Sequence, residues 1–246
     1  MFPNRFRPLV ARRAMRDLEQ NGPDDTVSAI KVIGAYQGRS GERLFKRFKR
    51  SPGGQRLLRE KSDLFALMRD TERLRSMPEG SLGKAIGDWY HVEEISAQGL
   101  ADASEAAFSE GGPRRREVTG DVELFSNRLR DLHDVFHVLA GYGRDLRGEM
   151  GVLAFTIPQT RSTGVAYLVW RSLRDAGWNS YDGKLIREGF RRGRKARWLV
   201  DQDWETLFER PIDEVREELG VGPPPVYEQL RSAGAPVLDE LREGAA

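Results

Sequence analysis

The stretch His133-Asp134-Val135-Phe136-His137-Val138-Leu139-Ala140-Gly141-Tyr142-Gly143-Arg144-Asp145-Leu146-Arg147-Gly148-Glu149 decides how this chain reads. Its first half is helical by pattern, Gly141-Tyr142-Gly143 interrupts it, and a new apolar-periodic segment follows through Leu146, Glu149, Val152 and Leu153. That is the signature of an αα-hairpin. Residues four apart on a helix share a face, so His133 and His137 can present their imidazoles to one ion. His137 stands four residues before Gly141 and Glu149 six after Gly143, so antiparallel helices bring Glu149 to a similar height as a third ligand. Two imidazoles and a carboxylate so arranged predict a metal site. Asp134 points about 100° away from its neighbour His133, and reads either as a fourth ligand or as a group that orients an imidazole through its N–H. A histidine pair at helical spacing is, taken alone, more often ordinary core or surface histidine. The carboxylates and the hairpin move the balance toward metal.

Outward from the hairpin, helical periodicity dominates and β-branched runs with period-two alternation are scarce, which predicts an all-α, single-domain helical bundle. Leu9, Ala14, Met15 and Leu18 suggest a first helix closed by Asn21-Gly22-Pro23, and Asp24 or Asp25 can cap the next, carrying Val27, Ile30, Ile33 and Ala35. Leu44, Phe45 and Phe48 precede a break at Pro52-Gly53-Gly54, after which Leu57, Leu58, Leu64, Leu67 and Met68 continue the pattern. Ser81 reads as the cap of a helix through Ile86, Trp89 and Tyr90. Residues 109–120 are the most loop-like stretch, and Pro158 should end or kink the second hairpin helix. Val165 to Leu173 and Leu185 to Phe190 supply further helices, and Trp204, Leu207, Phe208, Val215 and Leu219 complete the folded region. The expected division is one domain over 1–222 and a C-terminal tail over 223–246, opened by Pro223-Pro224-Pro225.

Of the 246 residues, 39% are hydrophobic and 32% charged, enough apolar residues for a core within a soluble chain. Forty Lys and Arg against 38 Asp and Glu leave a net charge of +2, so nucleic acid is not an expected partner. Cys is absent, which excludes disulfides, thiolate metal sites and cysteine catalysis; any metal has nitrogen and oxygen ligands. No run approaches about eighteen consecutive apolar residues, and no secretory signal or dinucleotide, phosphate-loop or serine-hydrolase motif is visible. A bacterial cytoplasmic protein is expected. The segment Glu42 to Arg50 sets Arg43, Lys46, Arg47, Lys49 and Arg50 around Leu44, Phe45 and Phe48, a composition suited to lying on an anionic membrane with its aromatic face inserted. Its ordinary reading is a solvated basic face over a stripe that packs on the core. A second basic cluster, Arg187, Arg191, Arg192, Arg194, Lys195 and Arg197, can meet lipid headgroups, a benzoate or water.

The pattern His-Asp-x-x-His-x11-Glu closely resembles the hallmark of the ubiquinone-biosynthesis family known as the fourth coenzyme Q protein. Upstream, Leu74 to Tyr90 ("LRSMPEGSLGKAIGDWY") looks like the family's Pro-Glu-Gly-Ser-Leu-Gly segment; downstream, Gly193 to Val221 resembles its C-terminal stretch. The resemblance covers most of residues 70–225 and is loose before that. It implies an all-helical, homodimeric, membrane-associated protein that binds a divalent metal, usually zinc, through His133, Asp134, His137 and Glu149. It also implies a C1-processing enzyme, a metal-dependent decarboxylase that removes the carboxylate of a polyprenylated hydroxybenzoate and leaves a hydroxyl. The expected partners are a prenylated benzoquinone precursor, the membrane surface and other ubiquinone-biosynthesis proteins. The place expected for it is peripheral on the inner face of the cell membrane, or the mitochondrial inner membrane in a eukaryote.

Zinc is redox-inert, and exchange of carboxylate for hydroxyl is an oxidation, so iron or manganese is the alternative metal. A polyprenyl tail needs an apolar groove, for which Leu153, Phe155, Ile157, Tyr167, Leu168 and Trp170 are candidates whose ordinary reading is core packing. Arg144 can hold a substrate carboxylate; pairing with Asp145 or solvent weighs more. No side chain is assigned as catalytic. A metal-containing lipid-binding scaffold for the biosynthetic complex, and more distantly a metal-dependent hydrolase, stand as competing functions.

Overall fold

The computed structural model describes residues 5–22, 25–109 and 120–231. Many helix starts among the described residues are set by short polar side chains. Between α1 (Pro8–Asn21) and α2 (Thr26–Ala35) the cap is Asp25, which accepts from the Ser28 amide at 2.9 Å; Asp24 and Pro23 lie outside the described residues. Then come α3 (Ser40–Arg50), α4 (Pro52–Glu60), α5 (Leu64–Arg69) and α6 (Thr71–Arg75), with Ser51, Asp63 and Asp70 capping the last three. Ser81 caps α7 (Leu82–Val92) by accepting from the Lys84 amide at 3.3 Å, as its sequence predicts. The sequence reading assigned nothing to α8 (Ala97–Ser109), and the expected loop after it lies almost wholly outside the described residues. The hairpin is α9 (Asp121–Ala140) and α10 (Leu146–Thr160). Pro158 neither ends nor breaks α10, which runs on to Thr160. α11 (Thr163–Ala176), α12 (Tyr181–Lys195), α13 (Trp204–Leu207) and α14 (Ile212–Glu218) complete fourteen helices among the described residues, and the all-α, single-domain expectation is met.

α9 is the central element, burying Phe125, Leu132, Val135, Phe136 and Leu139 in the larger core with α5, α7 and α14 around it. A smaller core joins α1 and α2 to α10, α11 and α12. α10 serves both, with Val152 and Phe155 in the first and Leu153 and Ala154 in the second. A helix buried on opposite faces has no polar side to show, which is why its amphipathic pattern is weak. It packs on α12 backbone to backbone: a Cβ at Gly189 would stand 2.4 Å from the Gly151 carbonyl oxygen, and one at Gly193 would stand 2.1 Å from that of Phe155. This close crossing holds the hairpin in place.

The structure corrects the reading of α3 as a membrane-inserting helix. Leu44 and Phe48 are buried in the larger core and Phe45 packs on Phe125 with ring centroids 5.2 Å apart, so the apolar stripe faces inward. The physical reason is that a stripe of this width satisfies a protein core as well as a bilayer, and sequence periodicity cannot tell the two apart. Its five cations remain at the surface. The prenyl-groove candidates divide likewise: Leu153, Phe155 and Leu168 are core, Ile157 and Tyr167 are half-buried, and Trp170 is exposed. No described helix is long and apolar enough to cross a membrane.

From Pro223 to Arg231 the chain is not helical and lies against the hairpin. Arg192 donates to the Pro223 carbonyl at 2.7 Å, and the Leu146 amide donates to the Leu230 carbonyl at 2.9 Å.

Candidate metal centre

His133 and His137 lie on one face of α9, and their Nε2 atoms stand 3.2 Å apart with the rings edge to face. The chain then turns at Gly141, which takes the left-handed conformation (φ 74°) that caps a helix and suits a residue without Cβ. Asp145 restarts the helix by accepting from the Arg147 and Gly148 amides, and Glu149 follows within the first turn of α10. Glu149 reaches back across the hairpin, its carboxylate 3.4 Å from His137 Nε2 and 3.7 Å from His133 Nε2. One donor atom from each of the three residues lies within 4.8 Å of the others. Donors at about 2.0–2.2 Å around a tetrahedral ion stand roughly 3.3–3.5 Å apart, so the spacing and the nitrogen–oxygen donor set both fit one divalent cation.

The cluster has a closed base and an open rim. His137 is 1% exposed, while the side chains of His133 and Glu149 keep 29% and 25% of their surface. Protein donors cover one side of the point they share and solvent reaches the other. Below it, the Tyr142 carbonyl lies 3.0 Å from His137 Nδ1, which assigns a proton to Nδ1 and leaves Nε2 as the atom that faces Glu149. Trp89 stacks on the same imidazole at 5.3 Å between centroids.

Protonation follows from these neighbours. Burial, aided by the nearby His137, pushes the His133 pKa down to about 4, which keeps this imidazole neutral and its lone pair available at neutral pH. Burial opposes ionisation of Glu149, but the charge and hydrogen bond of His137, with His133 and Arg144, prevail and bring it to about 2. Burial likewise lowers His137, and the Glu149 carboxylate more than offsets this, so its pKa ends raised.

Asp134 is not brought into this group. It is buried, burial pushes its pKa up to about 6, and Oδ2 accepts a 2.8 Å hydrogen bond from the Tyr90 hydroxyl rather than from an imidazole N–H. Trp89 and Tyr90, which back His137 and Asp134, sit in the Leu74 to Tyr90 segment that the sequence singled out without giving these two a role. Arg144 does not pair with Asp145. Its guanidinium is 3.5 Å from the Glu93 carbonyl oxygen, and its charge is felt by His133, Asp134 and Glu149. Asp145 is occupied by Tyr227, whose hydroxyl donates to it at 2.8 Å and accepts from the Gly143 amide at 2.8 Å, and by the Leu230 amide at 2.9 Å. The hairpin loop is thus clamped from outside by a segment that reads in sequence as tail.

The family model for coenzyme Q (ubiquinone) biosynthesis protein Coq4 matches residues 120–225, a stretch that contains the whole hairpin. The chain is 28% identical over 192 residues to the mitochondrial ubiquinone biosynthesis protein COQ4 homolog of Mus musculus, covering 76% of this chain and 67% of that one. It is also 28% identical over 190 residues to the mitochondrial ubiquinone biosynthesis protein of Pyrenophora tritici-repentis, covering 74% of this chain but only 60% of the relative's length. A crystal structure at 2.85 Å of a candidate ubiquinone biosynthesis protein from Nostoc punctiforme superposes with a TM-score of 0.60 at 20% identity, over 89% of this chain and all of that one, which establishes the shared fold.

Proposed function

With the chain related to the coenzyme Q (ubiquinone) biosynthesis proteins of the Coq4 family, we propose that it is a metal-dependent enzyme of that pathway, acting at C1 of a polyprenyl-hydroxybenzoate. The observation that carries this reading is the convergence of His133, His137 and Glu149 on one point with an open rim. Asp134 is proposed to act on the cluster from behind, held by Tyr90. A divalent ion in this set, zinc by family resemblance, would supply Lewis-acid stabilisation of negative charge on a phenolate or carboxylate oxygen.

The chain's own groups do the rest. Arg144, whose charge is felt at the cluster, is the cation proposed to hold the substrate carboxylate. The ionised Glu149 and neutral His133 are ready as donors, and the Tyr142 carbonyl and Trp89 fix the His137 ring. Loss of the carboxylate as carbon dioxide leaves an electron pair on the ring carbon, and its replacement by hydroxyl withdraws two electrons. Zinc does not accept them, so the reading requires dioxygen as the terminal oxidant, with iron or manganese in the two-histidine, one-carboxylate set as the alternative metal that would assist its reduction. Because the substrate is a prenyl lipid, the protein is proposed to work as a peripheral membrane protein, as a homodimer and beside other enzymes of the pathway.

The alternative, a lipid-binding scaffold with a structural metal, is favoured less by the open rim, since structural sites are closed by protein ligands. Incubation of metal-quantified protein with a polyprenyl-hydroxybenzoate, followed by mass spectrometry, separates the two. Loss of the carboxylate with gain of one oxygen supports the enzyme; binding without any change of mass supports the scaffold.

A further inference from the structure

The two basic clusters that stand out in the sequence, around Arg47 and around Arg194, meet in the fold at a place remote from the metal centre. Arg47 of α3, Arg161 at the C-terminal cap of α10 and Arg194 of α12 line one cleft of about 490 Å³, together with Trp198, Phe190 and Ile157. Arg161 lies twelve residues along α10 from Glu149, about 18 Å at 1.5 Å per residue. We propose that this cleft is an anion site for a phosphate monoester carried on an apolar body.

Three features support the assignment. First, the charges are uncompensated: none of the three arginines makes an ion pair within 4.0 Å among the described residues. Partial desolvation against the cleft wall and the neighbouring Arg161 push the pKa of Arg47 down, with Asp201 the opposing charge. Like charges gathered with no carboxylate in ion-pair range leave an electrostatic deficit that a dianion fills better than a monoanion.

Second, the wall is built in advance. The Arg47 guanidinium lies 3.8 Å over the Trp198 ring, and Trp198 donates from Nε1 to the Gln159 carbonyl at 2.9 Å. The buried Gln159 side chain in turn donates to the Gly193 carbonyl and accepts from the Leu199 amide. Arg47 is thereby aimed before any ligand arrives, and a guanidinium held in plane offers paired N–H donors to phosphate oxygens. Third, Arg161 adopts a left-handed backbone (φ 53°), a conformation in which Gly or Asn is the common choice. The N-terminus of α11, with its positive end, borders the same cleft through Ser162 and Thr163. Phe190, Ile157 and Trp198 give the non-polar part of the ligand a surface.

The shared chemistry admits two sources, a membrane-lipid headgroup or a soluble phosphate ester. Calorimetric titration of the full chain with inorganic phosphate, with phenyl phosphate and with a short-chain phosphatidic acid below its micelle concentration distinguishes them. Wild-type protein is expected to bind the phosphatidic acid. Arg47→Gln and Arg161→Gln, both at exposed positions, should each weaken that binding by about tenfold, as expected for loss of one charge-assisted hydrogen-bond donor. Arg174→Gln, a surface arginine elsewhere, should leave it unchanged, and so should His137→Ala, which shows that the phosphate is not at the metal centre. Phosphatidic acid bound more than tenfold tighter than inorganic phosphate, with sedimentation on phosphatidic-acid vesicles lost in the same two variants, identifies a headgroup. Phenyl phosphate bound as tightly, with no vesicle binding, identifies a soluble ester. No wild-type binding at millimolar probe, undiminished binding in both arginine variants, or binding abolished by His137→Ala overturns the proposal.

Discussion

The two ends of α10 carry charge in opposite senses, each matched to the helix. At the N-terminal end the ionised Glu149 stands in the first turn, where the helix dipole is positive, and meets two imidazoles. At the C-terminal end Arg161 caps the helix where the dipole is negative, and faces Arg47 and Arg194 without a pairing carboxylate. One end is a set of donors for a cation; the other is a set of cations around a cleft. The dipole stabilises both arrangements in the ligand-free chain, so a single helix can hold opposed electrostatic sites at about 18 Å separation.

That comparison breaks most completely if α10 itself shifts. Gly193→Val forces a Cβ into the Phe155 carbonyl of α10, and should cost about 3 kcal/mol of unfolding free energy in chemical denaturation while impairing metal and phosphate binding together. Loss at one end alone would mean that the two sites do not share α10 as their frame. His137→Ala should act on the N-terminal end only: metal affinity falls by about a hundredfold or more, beyond what loss of a supporting group costs, with helical circular dichroism retained. Full metal occupancy and turnover in that variant would show the metal centre to be misassigned.

Asp134→Asn sharpens the picture of that end. Because Asp134 bonds to Tyr90 and not to the cluster, metal affinity should fall by only about tenfold; a loss equal to that of His137→Ala would make it a direct ligand. Salt separates the two ends without mutation. Raising ionic strength from about 0.05 M to about 0.5 M should weaken phosphate binding at the exposed arginines several-fold, while metal affinity changes less than twofold. If both fall together, the cleft and the cluster are not electrostatically distinct. The smallest effect is expected from Tyr227→Phe, which releases Asp145 and the Gly143 amide: about 1 kcal/mol of stability and a two- to threefold loss of metal affinity, with phosphate binding untouched.

The hairpin was legible in the sequence because its parts are local. Helical spacing places His133 over His137, Gly141 must turn the chain, and the count of residues on either side sets Glu149 opposite, so the three site residues needed no knowledge of the rest of the fold. The all-α class followed for the same reason, from periodicity and from caps such as Ser81. Four things were decided only by tertiary structure. The stripe of α3 went to the core because Phe125 and its neighbours were there to receive it, and periodicity does not name the partner. Asp134 was drawn to Tyr90, a choice made by α7 packing on α9 rather than by the motif. Residues near Tyr227 clasp the hairpin loop through backbone amides and one carboxylate, groups whose targets no side-chain pattern announces. The arginine cleft belongs with these: Arg47, Arg161 and Arg194 come from three helices, and only the close crossing of α10 and α12 with α3 alongside brings their charges to one place. Sequence alone determines contacts within a few turns of helix, where geometry is fixed by the backbone; contacts between distant elements depend on which surfaces bury most favourably together.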